Sequence, residues 1–109
     1  MSDEEEEIIE DLSMEIIANA GKARSLAQEA LNAAKKGDFP TADKKMEGAD
    51  QALNVAHGFH SKLLKEGSKD GVNETVLMAH AQDHVMGIMD LVDVYKELIG
   101  LYKAMKDMK

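Results

Sequence analysis

The sequence predicts an all-α fold, an antiparallel up-down-up bundle of three long helices. Two observations carry that prediction. Apolar residues recur at alternating steps of three and four over three long stretches, and a period near 3.5 belongs to helices packed knobs-into-holes. Only two short breaks interrupt them, Lys35 to Pro40 and Glu66 to Asn73, and short connections make neighbouring helices antiparallel. No stretch alternates polar and apolar residues with period two, so strands are not expected. The 109 residues make one domain, 1–109, and not two.

The first helix is expected over about 5–35, with the acidic start, residues 1–5, disordered. Ile9, Leu12, Ile16, Ala20, Ala23, Ala27, Ala30 and Ala34 lie on one stripe of it. Lys35 and Lys36 suit a last turn, and Gly37 suits the residue just beyond it. Asp38 can then cap the next helix, in whose first turn Pro40 is tolerated. That second helix is expected over about 40–65, with a seam of Ala42, Met46, Ala49, Leu53, Ala56, His60 and Leu63. The alanines of both helices allow close approach. Asn73 is a candidate cap for the third helix.

The third helix, Val76 to Met105, carries a seam of Leu77, Ala81, His84, Ile88, Leu91, Tyr95, Leu98, Tyr102 and Met105. It is also apolar elsewhere, at Met78, Val85, Met86, Met89, Val92 and Val94 among others. A helix apolar nearly all round is normally buried on more than one side. In a three-helix protomer each helix keeps a solvent face. The third helix therefore predicts self-association, and closed symmetric homo-oligomers are the usual outcome.

Composition excludes several classes of function. There is no cysteine, which rules out disulfides and thiolate chemistry. There is no tryptophan, and only two Phe and two Tyr, so a stacking platform for single strands is not expected. Thirteen basic residues against 21 acidic ones give a net charge of -8, opposite to the basic footprint of a nucleic-acid binder or an anionic-membrane binder. The N-terminus lacks the basic start and apolar core of a secretory signal, and no apolar run reaches membrane-spanning length. A cytoplasmic protein is expected.

Chemistry concentrates at His80-Ala81-Gln82-Asp83-His84, inside the apolar third segment. Residues three and four apart share a helix face, so His80, Asp83 and His84 can form one polar cluster. Such a set can hold a metal, although the glutamate that follows the first histidine in zincins is missing. His84 and His60, both on seams, read most simply as hydrogen-bonded core histidines. His57 falls one step off the seam, at the edge. Asp83 falls on the extra-apolar side with Ala79, Met86 and Asp90. There its copies would repel one another unless protonated or bridged by a cation. Imidazole, with an ordinary pKa of about 6.5, is a nucleophile at neutral pH and needs no general base to attack phosphorus. An accessible histidine on a rigid helix is what a phosphoryl carrier needs.

The stretch Leu77-Met78-Ala79-His80-Ala81-Gln82-Asp83-His84-Val85-Met86 resembles the signature of the lactose/cellobiose-type IIA component of the bacterial sugar phosphotransferase system. Residues 16–25, Gly37-Asp38-Phe39, Leu53-Asn54-Val55-Ala56-His57 and residues 97–103 are similar to other parts of the same family, in order along nearly the whole chain. The resemblance implies a three-helix protomer in a nine-helix homotrimer. It implies that His80 accepts a phosphoryl group from the histidine phosphocarrier protein and passes it to a cysteine of the sugar-specific IIB component. It also implies that copies of Asp83 meet at the trimer axis around one divalent metal, for which Mg²⁺ suits the oxygen ligands. Cellobiose, chitobiose, lactose and related sugars all fit.

Two positions depart from the family pattern. His60 stands where Gln is frequent, and Gly87 stands where Thr is common, a helix-interior glycine that costs about 1 kcal/mol relative to Ala. No Walker loop is present, so phosphate must come from a protein partner rather than from a nucleotide by that route. Two rival readings are a non-catalytic helical module that oligomerises through the third helix, and a metalloenzyme using His80, Asp83 and His84. Met78 and its neighbours are expected to form an apolar docking surface around His80.

Overall fold

Carboxylates open the first helix, where they meet the positive end of its macrodipole. Asp3, Glu4, Glu5 and Glu6 form the first turn of α1 (Asp3–Lys35) in the computed structural model, which describes residues 3–67 and 76–108. Residues 3–5 are thus helical, not disordered as their composition suggested, because this charge pattern complements a helix start.

The end of α1 follows from Gly37, whose φ of 81° is in the left-handed region. Gly37 N–H donates to the Ala34 carbonyl and Asp38 N–H to the Ala33 carbonyl, both at 2.9 Å, which is the Schellman arrangement. Asp38 then caps α2 (Phe39–Gly67), its carboxylate accepting from Thr41 N–H at 3.2 Å. Hydrogen bonds from the Thr41 side chain and then its backbone N–H lower the Asp38 carboxyl below the usual range. A carboxyl lowered on folding stabilises the fold above its unfolded pKa and loses that contribution as pH falls through the folded value. Asp38→Ala is therefore expected to lower the thermal midpoint at neutral pH. The gap from wild type should narrow in melts taken as pH falls through and below the ordinary carboxylate range. A gap of constant size across that range would remove the carboxylate from the explanation.

Gly67 ends α2 two residues beyond the expected boundary, so Glu66 and Gly67 belong to the helix rather than to the break. The rest of that break, with the Asn73 cap, lies outside the described residues. The third helix, α3, spans Val76–Asp107. All secondary structure among the described residues is helical.

The core is a stack of small and aliphatic side chains along one axis. Ile16, Leu63, Val85 and Val92 are its largest fully buried apolar members. α1 is central, packing along both neighbours, whereas α2 and α3 touch each other least. Alanines dominate the buried stripes of α1 and α2, and these two approach closely. A Cβ built on Gly48 would lie 3.2 Å from Leu26 Cδ1. On the α2–α3 side, Lys96 reaches Asp50 at 2.8 Å and Lys103 reaches Asp43 at 2.7 Å. Both pairs are solvated, and such pairs contribute little.

The stripes of α1 and α2 lie close to the predicted ones. Ser13 takes the buried place in α1 that was assigned to Leu12, which is half-buried. In α2, Ala52 is buried while Leu53 and His60 are half-buried. The predicted α3 seam holds at Ala81 and Ile88, while its other row shifts by one residue. Met78, Ala81, Val85, Ile88, Val92 and Ile99 are buried, whereas Leu77, His84, Leu91 and Leu98 are half-buried and Met105 is exposed. Because α3 is apolar nearly all round, its pattern allows two seams one residue apart, and packing against α1 selects the second.

The protomer is a rod of 62 × 16 × 16 Å with a radius of gyration of 17.2 Å. A compact domain of this length has about 13 Å. The excess leaves large apolar side chains in water. On α3, Val76, Met86, Val94 and Leu101 are 89, 60, 55 and 60 % exposed.

Candidate functional site

The second turn of α3 holds the cluster away from the core while its neighbours anchor it. Met78 and Ala81 flank His80 in sequence and are buried, at 4 % and 0 % exposed. They fix the azimuth of the helix, so His80 and Asp83 point outward and are exposed. Burial of Met78 corrects the expectation that it belongs to a docking surface, since it packs inside the protomer. The exposed apolar side chains on this helix include instead Val76 and Met86 near the cluster, and Met89, Val94, Leu101 and Met105 farther on.

His84 sits one turn beyond His80 and is half-buried, at the edge of the seam rather than within it. The two imidazole rings lie 5.7 Å apart between centroids, tilted by 38°. The half-buried ring backs the exposed one on one side and leaves its remaining perimeter in solvent. Gln82 is half-buried on the opposite side of the helix. Asp83 has no ion-pair or hydrogen-bond partner among the described residues. Nor do three or more His, Asp or Glu side chains converge as metal ligands within one protomer, among the described residues. The reading of His80, Asp83 and His84 as a three-ligand centre in one chain therefore fails on geometry.

Asp83 belongs to the outward row of α3 with Val76, Met86, Asp90 and Val94, all exposed. Gly87 is on the same side, and a Cβ built on it meets nothing within 4 Å among the described residues. His57 is exposed and lines the shallow cleft between α2 and α3 with Asn54, Met89 and Asp93. His60 is half-buried, and its Nε2 is enclosed without a hydrogen-bond partner, contrary to the expected satisfied core histidine. Ser13 Oγ is in the same condition and escaped the sequence reading. The signal was present, because steps of four and three from Ile9 lead to Ser13, Ile16, Ala20 and Ala23.

An exposed imidazole on a long helical rod is open to a group brought by another macromolecule, as a helical carrier protein requires. The particular carrier follows from comparison. The chain belongs to the family described as "PTS system, Lactose/Cellobiose specific IIA subunit", whose model matches residues 11–103. It is 38% identical over 110 residues to the lichenan-specific phosphotransferase enzyme IIA component of Bacillus subtilis, covering 100% of this chain and 96% of the relative. The crystal structure of the cellobiose-specific enzyme IIA from Bacillus anthracis superposes with a TM-score of 0.86 at 35% identity, covering 100% of this chain and 96% of that one. The IIA(Chitobiose) chain in the solution structure of its complex with HPr, from Escherichia coli, gives a TM-score of 0.82 at 38% identity, covering 90% and 96%. The three-helix, all-α fold is thus that of the IIA components. The chain is a phosphotransferase-system component, and no helix among the described residues is long and apolar enough to cross a membrane.

Proposed function

We propose that this protein is a cytoplasmic phosphocarrier in sugar uptake. His80 accepts a phosphoryl group from the histidine phosphocarrier protein and hands it to a cysteine of a IIB component. One observation carries the assignment to His80: it is the exposed imidazole at the head of the family-like motif, backed by the His84 ring at 5.7 Å. The relative captured with HPr supports the choice of donor. In the first step the lone pair of a His80 ring nitrogen attacks phosphorus. The new N–P bond forms as the donor's N–P bond breaks, and the donor imidazole leaves with that electron pair. In the second step a thiolate sulfur of the acceptor takes the phosphorus and His80 leaves in the same way. Donor and acceptor must lie roughly in line across phosphorus, which an exposed ring on a convex rod permits.

The assembly belongs to the same proposal. Three protomers pack their α3 outer rows together as a homotrimer, covering Met86, Val94 and Leu101. That brings copies of Asp83 toward one axis. The residues fit a single divalent cation there: Asp83 is exposed, unpaired among the described residues, and set in an apolar row that copies would dehydrate. Carboxylate oxygens suit Mg²⁺, which when bound would offset most of the charge of the three carboxylates. One chain alone lacks enough ligands, so the site would exist only in the assembly.

The test is a reconstituted relay. Phosphoenolpyruvate, enzyme I and the histidine phosphocarrier protein are incubated with the chain and the intact mass is read. A gain of one phosphoryl group per chain is expected. No gain, with the phosphocarrier itself phosphorylated, leaves the non-catalytic helical module as the reading.

A further inference from the structure

Two of the four histidines sit one turn apart on α3 with their rings together. The His80 and His84 ring centroids are 5.7 Å apart and the rings are tilted by 38°. His80 is exposed and His84 half-buried, so the pair lies at the surface. Neither ring has a hydrogen-bond or ion-pair partner among the described residues, which leaves a lone pair on each uncommitted. Ala81 and Val85, the residues that follow the two histidines, are buried. They seat this turn of the helix on the core and hold the two histidines in register on one face.

That spacing suits a metal ion. Histidines at i and i+4 of one helix are the pair that grips Zn²⁺ in helical zinc sites. The glutamate beside the first of them in zincins is a base and not a ligand, so its absence here does not affect binding. With Zn–N bonds of about 2.1 Å and a tetrahedral angle, two imidazole centroids around one ion lie about 5 Å apart. The observed 5.7 Å is within a small side-chain rotation of that distance. Structural zinc sites use four protein ligands and catalytic ones three. Three His, Asp or Glu side chains do not converge among the described residues. The pair is therefore a two-donor chelate completed by water, which makes it a reversible site rather than the seat of a resident cofactor. Imidazole favours Zn²⁺, Ni²⁺ and Cu²⁺, whereas carboxylate oxygen favours Mg²⁺, so this site differs in chemistry from the one proposed at Asp83.

We propose that His80 and His84 together bind a transition-metal cation, Zn²⁺ being the best fit, and that the bound ion blocks phosphorylation of His80. A neutral imidazole has one nitrogen with a lone pair to donate, and its other nitrogen carries a proton. Once the metal takes that lone pair, neither nitrogen of His80 can attack phosphorus, whichever of the two is the nucleophile. The ion thus acts as a brake on the carrier, applied at the reacting atom. The binding rests on the ring geometry alone, and the brake rests on the phosphocarrier reading. A relay that never phosphorylates His80 removes the brake, and the metal site is then decided by titration.

The experiment titrates Zn²⁺ into the intact protein by calorimetry, with Mg²⁺ in large excess to occupy oxygen sites and leave imidazoles free. One ion per chain is expected, and the ring resonances of His80 and His84 should shift together in NMR spectra. His80→Ala and His84→Ala should each weaken binding by more than about tenfold, because one of two donors is lost. His57→Ala, in the cleft between α2 and α3, should leave it unchanged. At about ten times the measured Kd, Zn²⁺ should slow phosphoryl transfer from phosphorylated histidine phosphocarrier protein to the chain about tenfold. His84→Ala, read against its own metal-free rate, should be insensitive to the same concentration, which separates the chelate from any action of Zn²⁺ on the donor. Absence of binding, or binding that survives the loss of either histidine, overturns the site. Zn²⁺ bound at the pair with transfer undiminished, or equal slowing in wild type and His84→Ala, overturns the brake.

Discussion

Alanine in place of His80 is expected to abolish phosphoryl gain in the reconstituted relay while leaving the protein helical and its thermal midpoint nearly unchanged. The expected loss is complete because the nucleophile itself is removed, rather than an element that orients it. The fold is insensitive because His80 is exposed, and surface changes of this kind usually stay within about 0.5 kcal/mol. Alanine also suits a helix interior better than histidine. The wild-type adduct should be lost in mild acid and survive base, since protonating the ring turns it into a good leaving group. A His80→Ala protein that still gains the phosphoryl mass would move the site elsewhere, with His84 the first candidate. His84→Ala separates the two: it should keep its acceptor and lose only the ring that backs it.

The helices and the first turn were legible in the sequence because each is set by local chemistry. Gly37 is the residue that adopts a left-handed φ at little cost, and Asp38 is a good cap wherever the next helix begins. Alanine-rich stripes at steps of three and four located the cores of α1 and α2 almost residue by residue. One row of the α3 seam was not legible for a physical reason. Leu77, His84, Leu91 and Leu98 form as regular a row as Met78, Val85, Val92 and Ile99, and periodicity alone cannot rank them. Only the depth of packing against α1 decides between them. The same shift takes Met78 into the core and leaves His84 half out of it.

The polar site was legible in part. A histidine on an apolar helix is conspicuous, and His80 needed only the azimuth of α3 to be placed in solvent. Ser13 was inconspicuous, because a single serine among alanines barely disturbs the hydrophobic pattern. A single chain reveals least about Asp83, since in the proposed assembly the groups around it come from other copies.

Removing divalent cations is therefore expected to loosen the assembly of the wild type and to leave Asp83→Leu unaffected. Three carboxylates brought together on an apolar face repel, and an uncompensated buried charge costs several kcal/mol. Met86 and Val94, 60 and 55 % exposed in the protomer, are the side chains that association would dehydrate around Asp83. Leucine at position 83 deletes the repulsion and the metal requirement together, and extends the apolar row. Replacing buried charge by well-packed apolar residues is often neutral or stabilising, by roughly 1–4 kcal/mol. The variant should accordingly remain a trimer in sedimentation equilibrium, with a midpoint equal to or above that of the wild type and indifferent to chelator. Wild type should lose several degrees on chelation and recover them when Mg²⁺ is returned. Phosphorylation of His80 should persist in Asp83→Leu, because Asp83 has no part in the nucleophilic step. A wild-type trimer whose midpoint does not respond to chelator would leave Asp83 hydrated at the interface and remove the cation. A monomer at micromolar concentration would remove the interface as well, and with it the reason for α3 being apolar on its outer side.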